Sequence, residues 1–188
     1  MKRGTLIILS GPSGVGKGTV REELFKNDDL NLAYSISMTT RKPRANEVEG
    51  VDYFFIEEEM FKEMIENNEL IEWAQFVGNY YGTPRGYVEE LLNEGKNVVL
   101  EIEVQGATQV KNMFPDALSI FIVPPSLEEL ENRIRNRRTE CEEIVIQRLN
   151  KAKHELTLTH EYLYVVENNS LMQTVQQIEE IIKDNIQN

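Results

Sequence analysis

The sequence predicts an α/β fold: a parallel sheet flanked by helices, carrying a small inserted α+β subdomain and a short lid. Three observations predict it. Thr5-Leu-Ile-Ile-Leu9 is an unbroken run of β-forming apolar residues that ends in a glycine-rich turn, as a strand buried on both faces does. The turn opens directly into Lys17–Lys26, where Val20, Leu24 and Phe25 fall at helical spacing. Downstream, strand-like and helix-like segments keep alternating, the pattern of parallel strands joined by crossover helices.

The later elements follow in order. Asn97–Ile102 reads as a second buried strand, and Val104–Met113 as a helix. Ala117–Val123 reads as a third strand, closed by Pro124-Pro125. Ser126 with Glu129 makes a capping box, and Leu127, Leu130 and Ile134 continue one helical face. Val145, Leu149, Ala152 and Leu156 mark another helix, Tyr162–Val166 a short strand, and Leu171, Val175, Ile178, Ile182 and Ile186 a closing amphipathic helix. One stretch breaks the rhythm. Between about Ser35 and Gly86 lie β-like pieces (Tyr53–Ile56, Leu70–Val77), a short helix near Glu57–Glu66, and clustered Gly, Asn and Tyr, which together read as an insertion on the main sheet. A second polar, charge-dense stretch, about Asn136–Glu143, separates two helices.

The chain has 188 residues, 20 Lys+Arg and 32 Asp+Glu, a net charge of −12, which suits one domain with a full core and no need of disulfides. The acidic balance argues against a general nucleic-acid binder, which needs excess cations to displace counterions, but leaves room for a local cationic pocket. Cys141 is the single cysteine, so neither an intrachain disulfide nor a cysteine zinc site is available, and a reducing compartment is the natural expectation. The apolar run after Met-Lys-Arg is too short for a signal peptide, and no segment approaches the ~20 apolar residues of a membrane span. The expectation is a cytoplasmic protein with no membrane partner, monomeric or homodimeric.

Gly11-Pro-Ser-Gly-Val-Gly-Lys17 fits G-x-x-x-x-G-K and stands between a buried strand and a helix. There the backbone can curl its N–H groups around an anion, and the helix N-terminus adds partial positive charge. The fold is therefore expected to be of the P-loop NTPase type. Lys17 is expected to reach the β- and γ-phosphates, with Gly11, Pro12, Ser13, Gly14, Val15, Gly16, Gly18 and Thr19 around them. Gly18 stands where Ser or Thr usually supplies a hydroxyl to Mg²⁺, so the ion would be held mainly by nucleotide phosphates and waters.

Six of ten arginines fall in two places: Arg41 and Arg44, then Arg133, Arg135, Arg137 and Arg138. Guanidinium forks match phosphate oxygens, and phosphoryl transfer spreads charge over equatorial oxygens. A single such run is as well explained by a solvated helix face. Two runs beside a phosphate loop favour phosphate binding. His154 and His160 belong to no nucleophile–base arrangement. A kinase acting on an alcohol needs a base, whereas a phosphate acceptor is already ionised near neutral pH. Many arginines with no evident base suit a phosphate acceptor.

The motifs then form an ordered series. After the loop come Ser35-Ile-Ser-Met-Thr-Thr-Arg-Lys-Pro-Arg44, Glu49-Gly-Val-Asp-Tyr-Phe54, Ile71-Glu-Trp-Ala-Gln-Phe76, Gly78-Asn-Tyr-Tyr-Gly82, Glu101-Ile-Glu-Val-Gln-Gly106 and Pro124-Pro-Ser126. The series resembles the guanylate kinase family from about Thr5 to Leu171. That resemblance implies transfer of the γ-phosphoryl group of ATP to GMP, in purine nucleotide metabolism, with Mg²⁺ accompanying ATP. It implies a core (1–34 and 84–188), a GMP-binding insertion (35–83) and a lid (about 136–147), together one domain of about 4–184. Carried over by position, Arg41, Arg44, Tyr53 and Tyr81 would hold the acceptor phosphate. Glu72, Ser37, Thr83 and Glu103 would face the base. Arg137 and Arg148 would approach the transferring group, helped by Arg133, and Asn168 would lie near adenine. With Lys17, Arg41, Arg137 and Arg148 make up the catalytic set, and Glu101 or Glu103 is the candidate metal contact.

Guanine chemistry makes Glu72 the best candidate for reading the base. N1–H and the 2-amino group are adjacent donors that one carboxylate accepts, and AMP would leave that carboxylate unpaired. Tyr80 is assigned to packing. Three departures from the family pattern stand out: Gly18, in a lysine–glycine–threonine order shared with adenylate kinases; Glu101 and Glu103, where aspartates are common; and Arg138, where glycine is common. Three other readings compete. A kinase for another monophosphate is opposed by Glu72 and by Ser37–Arg44. A non-catalytic guanylate-kinase-like module typically lacks the loop or the acceptor arginines. A GTPase switch would need an N-K-x-D motif that the sequence lacks.

Overall fold

A computed structural model describes residues 2–76, 78–136 and 142–186. Along the chain run β1 (Leu6–Ser10), α1 (Lys17–Leu24), β2 (Leu32–Tyr34), β3 (Met38–Thr39), β4 (Phe54–Phe55), α2 (Glu58–Glu66), β5 (Leu70–Phe76), β6 (Asn79–Pro84), α3 (Arg85–Asn93) and β7 (Asn97–Glu101). They are followed by α4 (Val104–Met113), β8 (Leu118–Val123), α5 (Leu127–Asn136), α6 (Glu142–Leu156), β9 (Tyr164–Glu167) and α7 (Leu171–Ile186). The strands form a five-stranded sheet of order β2-β7-β1-β8-β9 and a four-stranded sheet of order β4-β3-β6-β5. Among the described residues, no helix is long and apolar enough to cross a membrane.

The chain divides into two compact units. One comprises Ile7–Leu32, Glu101–Val104 and the chain from Leu118 onward. In it β1, β8 and β9 run parallel, with Ile7 opposite Leu118 and Ile120 opposite Tyr164. All five residues of β1 are buried, which is why Leu6–Leu9 are apolar without alternation; Ser10 ends the strand as a buried polar residue. Phe121 packs edge-on to Tyr162 at 4.8 Å. Val175, Ile178 and Ile182 are the buried stripe of α7. The Ser126 hydroxyl accepts the Glu129 N–H at 3.0 Å, so the donor half of the capping box forms. The Glu129 carboxylate turns instead to Arg133 at 2.9 Å.

The other unit holds the four-stranded sheet together with α2, α3 and most of β7 and α4. Its two faces follow from the period of a strand. Tyr81 and Thr83 point one way from β6, and Tyr80 points the other. Tyr80 stacks on Phe61 of α2 at 5.4 Å and leans on Trp73 at 6.0 Å, a packing role as expected. Glu72 of β5 lies directly opposite Thr83, on the Tyr81 face.

Strands β2, β3 and β6 and helix α3 have no counterpart among the elements the sequence predicts, and β9 starts later than expected. Helix α3 begins at Arg85, at the start of the stretch expected to rejoin the core; Pro84 is its extended N-cap residue, and Val88 and Leu92 bury one face. Strand β9 begins at Tyr164 rather than Tyr162, since Thr159–Glu161 makes a 3₁₀ turn that Tyr162 closes. The lid expected at about 136–147 lies in part on 137–141, outside the described residues; Asn136 ends α5, and residues 142–147 form the first turns of α6.

Candidate active site

The glycine-rich loop joins β1 to α1. Val15 is fully buried and its N–H donates to the Pro12 carbonyl at 3.2 Å, so the loop is anchored at its centre. Gly16 caps α1 with φ 102°, and a Cβ there would lie 2.6 Å from Asn168 Nδ2. Both its dihedral and its neighbour therefore require glycine. The Lys17 ammonium donates to the carbonyls of Gly11 and Pro12. Burial pulls Lys17 below the ordinary lysine range, against the pull of Glu101, Glu155 and Glu103. The loop borders a cavity of about 420 Å³ lined by Ser13, Gly14, Gly16, Lys17, Gly18, Thr19, Glu101 and Glu103, among others.

Two side chains brace the loop from below. Asn168 is buried, and its Nδ2 donates to the Val15 carbonyl at 2.8 Å while its Oδ1 accepts from Thr174 at 3.2 Å. Arg133 donates to the carbonyls of Val15 (3.3 Å) and Asn168 (3.2 Å) and pairs with Glu129. Of the arginine run, Arg133 thus faces the loop, while Arg135 forks onto both oxygens of Glu142. Arg148 is half-buried on α6, and Arg137 lies outside the described residues.

Glu101 and Glu103 are the carboxylates beside the loop. Arg21 holds Glu101 at 3.3 Å, and Lys151 holds Glu103. A Cβ on Gly18 would meet Glu101 Oε1 at an ordinary contact distance of 3.7 Å, so Glu101 stands next to the position that lacks the usual hydroxyl. Among the described residues, no group of three or more His, Cys, Asp or Glu could cage a metal ion. This donor set fits a hard cation that keeps its waters and takes phosphate oxygens, as Mg²⁺ does, with Glu101 or Glu103 at its edge.

The second cluster is built on the four-stranded sheet. Arg41 follows β3, and its guanidinium forks onto Glu47 at 2.8 and 2.9 Å. The same group lies 5.5 Å over the Tyr53 ring and 5.9 Å over Phe55. Tyr53 meets Tyr81 edge-on at 6.2 Å. Glu47 also accepts the Arg44 N–H at 2.8 Å, which ties Arg44 in through its backbone while its side chain stays exposed. Arg41 holds the Glu47 carboxyl below its ordinary range, and Glu47, with Tyr81, pushes Arg41 further up. Glu72 is buried, and its Oε1 accepts the Thr83 hydroxyl at 2.6 Å. The half-buried Ser37 lies just before β3, its carbonyl accepting from Phe54 N–H at 2.9 Å.

The structure therefore gathers Arg41, Tyr53 and Tyr81 into one cluster, pairs Glu72 with Thr83, and places Glu103 beside the loop with Glu101. Sequence reasoning missed Glu47, which sits among many charges in a polar loop, and the bracing role of Asn168, whose partner Val15 is 153 residues away.

The guanylate kinase family model matches residues 3–185. The chain belongs to the guanylate kinase family. A guanylate kinase of Bacillus cereus is 60% identical over 181 residues, 96% of this chain and 88% of the relative. A guanylate kinase of Bacillus subtilis is 55% identical, across 96% of this chain and 89% of its own. The crystal structure of guanylate kinase from Anaplasma phagocytophilum is 33% identical, with a TM-score of 0.78 over 100% of this chain and 89% of that one.

Proposed function

We propose that the chain transfers the γ-phosphoryl group of ATP to GMP, that the glycine-rich loop binds ATP, and that the four-stranded sheet binds GMP. The observation that carries this reading is the buried Glu72 carboxylate beside Thr83 on a sheet that also presents Arg41, Tyr53 and Tyr81. A buried carboxylate facing adjacent N–H donors suits guanine. A guanidinium with two phenols suits a phosphate.

Loop N–H groups and Lys17 take the β- and γ-phosphates, and Arg133 and Asn168 keep the loop in the shape that presents them. Mg²⁺ carried with ATP supplies charge neutralisation on the phosphate oxygens, and Glu101 and Glu103 are the residues at hand to hold it. Arg41, Arg44, Tyr53 and Tyr81 orient the GMP phosphate. Glu72, Thr83 and Ser37 select the base. An ionised oxygen of GMP forms the new P–O bond as the bond from the γ-phosphorus to the β–γ bridging oxygen breaks, and that oxygen leaves with ADP and the electron pair. The acceptor needs no deprotonation, consistent with the lack of an evident base. Arg137 and Arg148 are assigned to the transferring group, where catalysis is positioning and charge compensation.

Replacing Glu72 tests the reading. Glu72→Gln keeps one acceptor and turns a donor toward guanine's donors. KM for GMP rises about 10²-fold or more, while KM for ATP stays put. Equal losses for the two substrates would remove Glu72 from base recognition.

A further inference from the structure

We infer that Gln109 is a positioning residue for base recognition: from α4 it clamps the backbone next to Glu72 and, with Gly106, sets where the Glu72 carboxylate sits. The inference rests on reading Glu72 as the group that recognises guanine.

Strand β5 is the edge of its sheet, so one side of its backbone faces no neighbouring strand. At Trp73 that side is filled by a side chain. The Trp73 N–H donates to Gln109 Oε1 at 3.1 Å, and the Trp73 carbonyl accepts from Gln109 Nε2 at 2.9 Å. One primary amide satisfies both backbone groups of a single residue, as a further strand would. Two oppositely directed bonds also fix that residue in distance and rotation against α4. The clamp falls where pairing with β6 is least able to hold the strand. Register shifts between Leu70 and Glu72, so Ile71 is an extra residue and Glu72 follows a bulge. A bulge turns a strand and re-aims the next side chain.

The same helix meets the carboxylate itself. Gly106 lies three residues before Gln109, on the same face of α4. A Cβ at Gly106 would be 2.5 Å from Glu72 Oε2 and 3.1 Å from Cδ. Glu72 can lie there only because residue 106 has no side chain. The carboxylate is thus bounded on one oxygen by the Thr83 hydroxyl and on the other by the Gly106 backbone, while its own backbone is fixed one residue on. A carboxylate that must accept N1–H and a 2-amino group together has to be held in both position and tilt, and α4 controls both.

The competing explanation is that Gln109 only seals a sheet edge. Selectivity between GMP and inosine monophosphate, which lacks the 2-amino group, separates the two. A loss of stability scales both substrates alike, whereas a displaced carboxylate loses its second contact and narrows the gap. In kcat/KM, Gln109→Ala and Gly106→Ala each lower the GMP-to-IMP ratio about tenfold, through KM for the monophosphate, with KM for ATP unchanged. In the Glu72→Gln background, Gln109→Ala lowers the ratio no further, because the group it positions is gone. Gly106→Ala leaves the edge clamp intact, so it carries the test if Gln109→Ala folds poorly. If Glu72→Gln lowers the ratio but neither α4 variant does, the positioning role is wrong and the reading of Glu72 stands. If Glu72→Gln leaves the ratio unchanged, both fall.

Discussion

Asn168 links the end of the sheet to the phosphate loop, and Asn168→Ala measures what that link is worth. The substitution deletes the 2.8 Å bond to the Val15 carbonyl and the 3.2 Å bond accepted from Thr174. The single Thr174 hydroxyl proton also has the carbonyls of Glu167 and Ser170 within reach, so it keeps an acceptor. Val15 loses its shorter side-chain partner and keeps Arg133 at 3.3 Å. The backbone bonds of Asn168, its N–H to Val123 and its carbonyl to Arg133, are untouched. One buried acceptor left under-satisfied costs about 1–2 kcal/mol. For a chain of this length that lowers Tm by about 3–6 °C. The loop carries the ATP phosphates, so KM for ATP rises with it while KM for GMP does not. Thermal unfolding and steady-state kinetics on the same preparation read both. An unchanged Tm, or a loss shared equally by ATP and GMP, would refute the assignment of Asn168 as a loop brace.

Other outcomes follow from the same geometry. Lys17→Ala removes the cation of the loop, and kcat falls about 10²–10³-fold, while the far-ultraviolet circular dichroism spectrum stays that of the wild type. Wild-type turnover in that variant would exclude Lys17 from the transition state. Glu155 is buried on α6, and burial raises its carboxyl above the ordinary 4.5 despite Lys151 and Lys17. A carboxyl raised in the folded state binds more protons there than in the unfolded chain, so its contribution falls as pH climbs through the window above 4.5. Glu155→Gln therefore has a higher Tm than the wild type at about pH 8, and the difference shrinks toward about pH 4. A difference independent of pH would contradict the sign.

The sequence announces the elements whose physics is local. β1 is legible because a strand buried on both faces must be uniformly apolar, and the loop because curling a backbone round phosphate requires glycines at fixed spacing. α5 is legible from its Ser126 cap. α3 is obscured because Pro84 and Gly86, which usually punctuate loops, flank its first residue. The β9 start is misread because Tyr162 has a strand-like composition but closes a turn. Individual residues of the acceptor cluster come from ordered motif resemblance rather than from spacing: nothing in the sequence near Arg41 distinguishes Glu47 from its acidic neighbours. Contacts such as Asn168 to Val15 or Gln109 to Trp73 join residues far apart in the chain, and only the fold brings them together.

Guanine selection is read by measuring ADP release with ATP, Mg²⁺ and each of GMP, AMP, CMP and UMP under one set of conditions. Turnover with GMP exceeds that with the other three by orders of magnitude, since each of them leaves the Glu72 carboxylate without its pair of donors. Comparable turnover with AMP, or no ADP from any monophosphate in a folded sample, would contradict it.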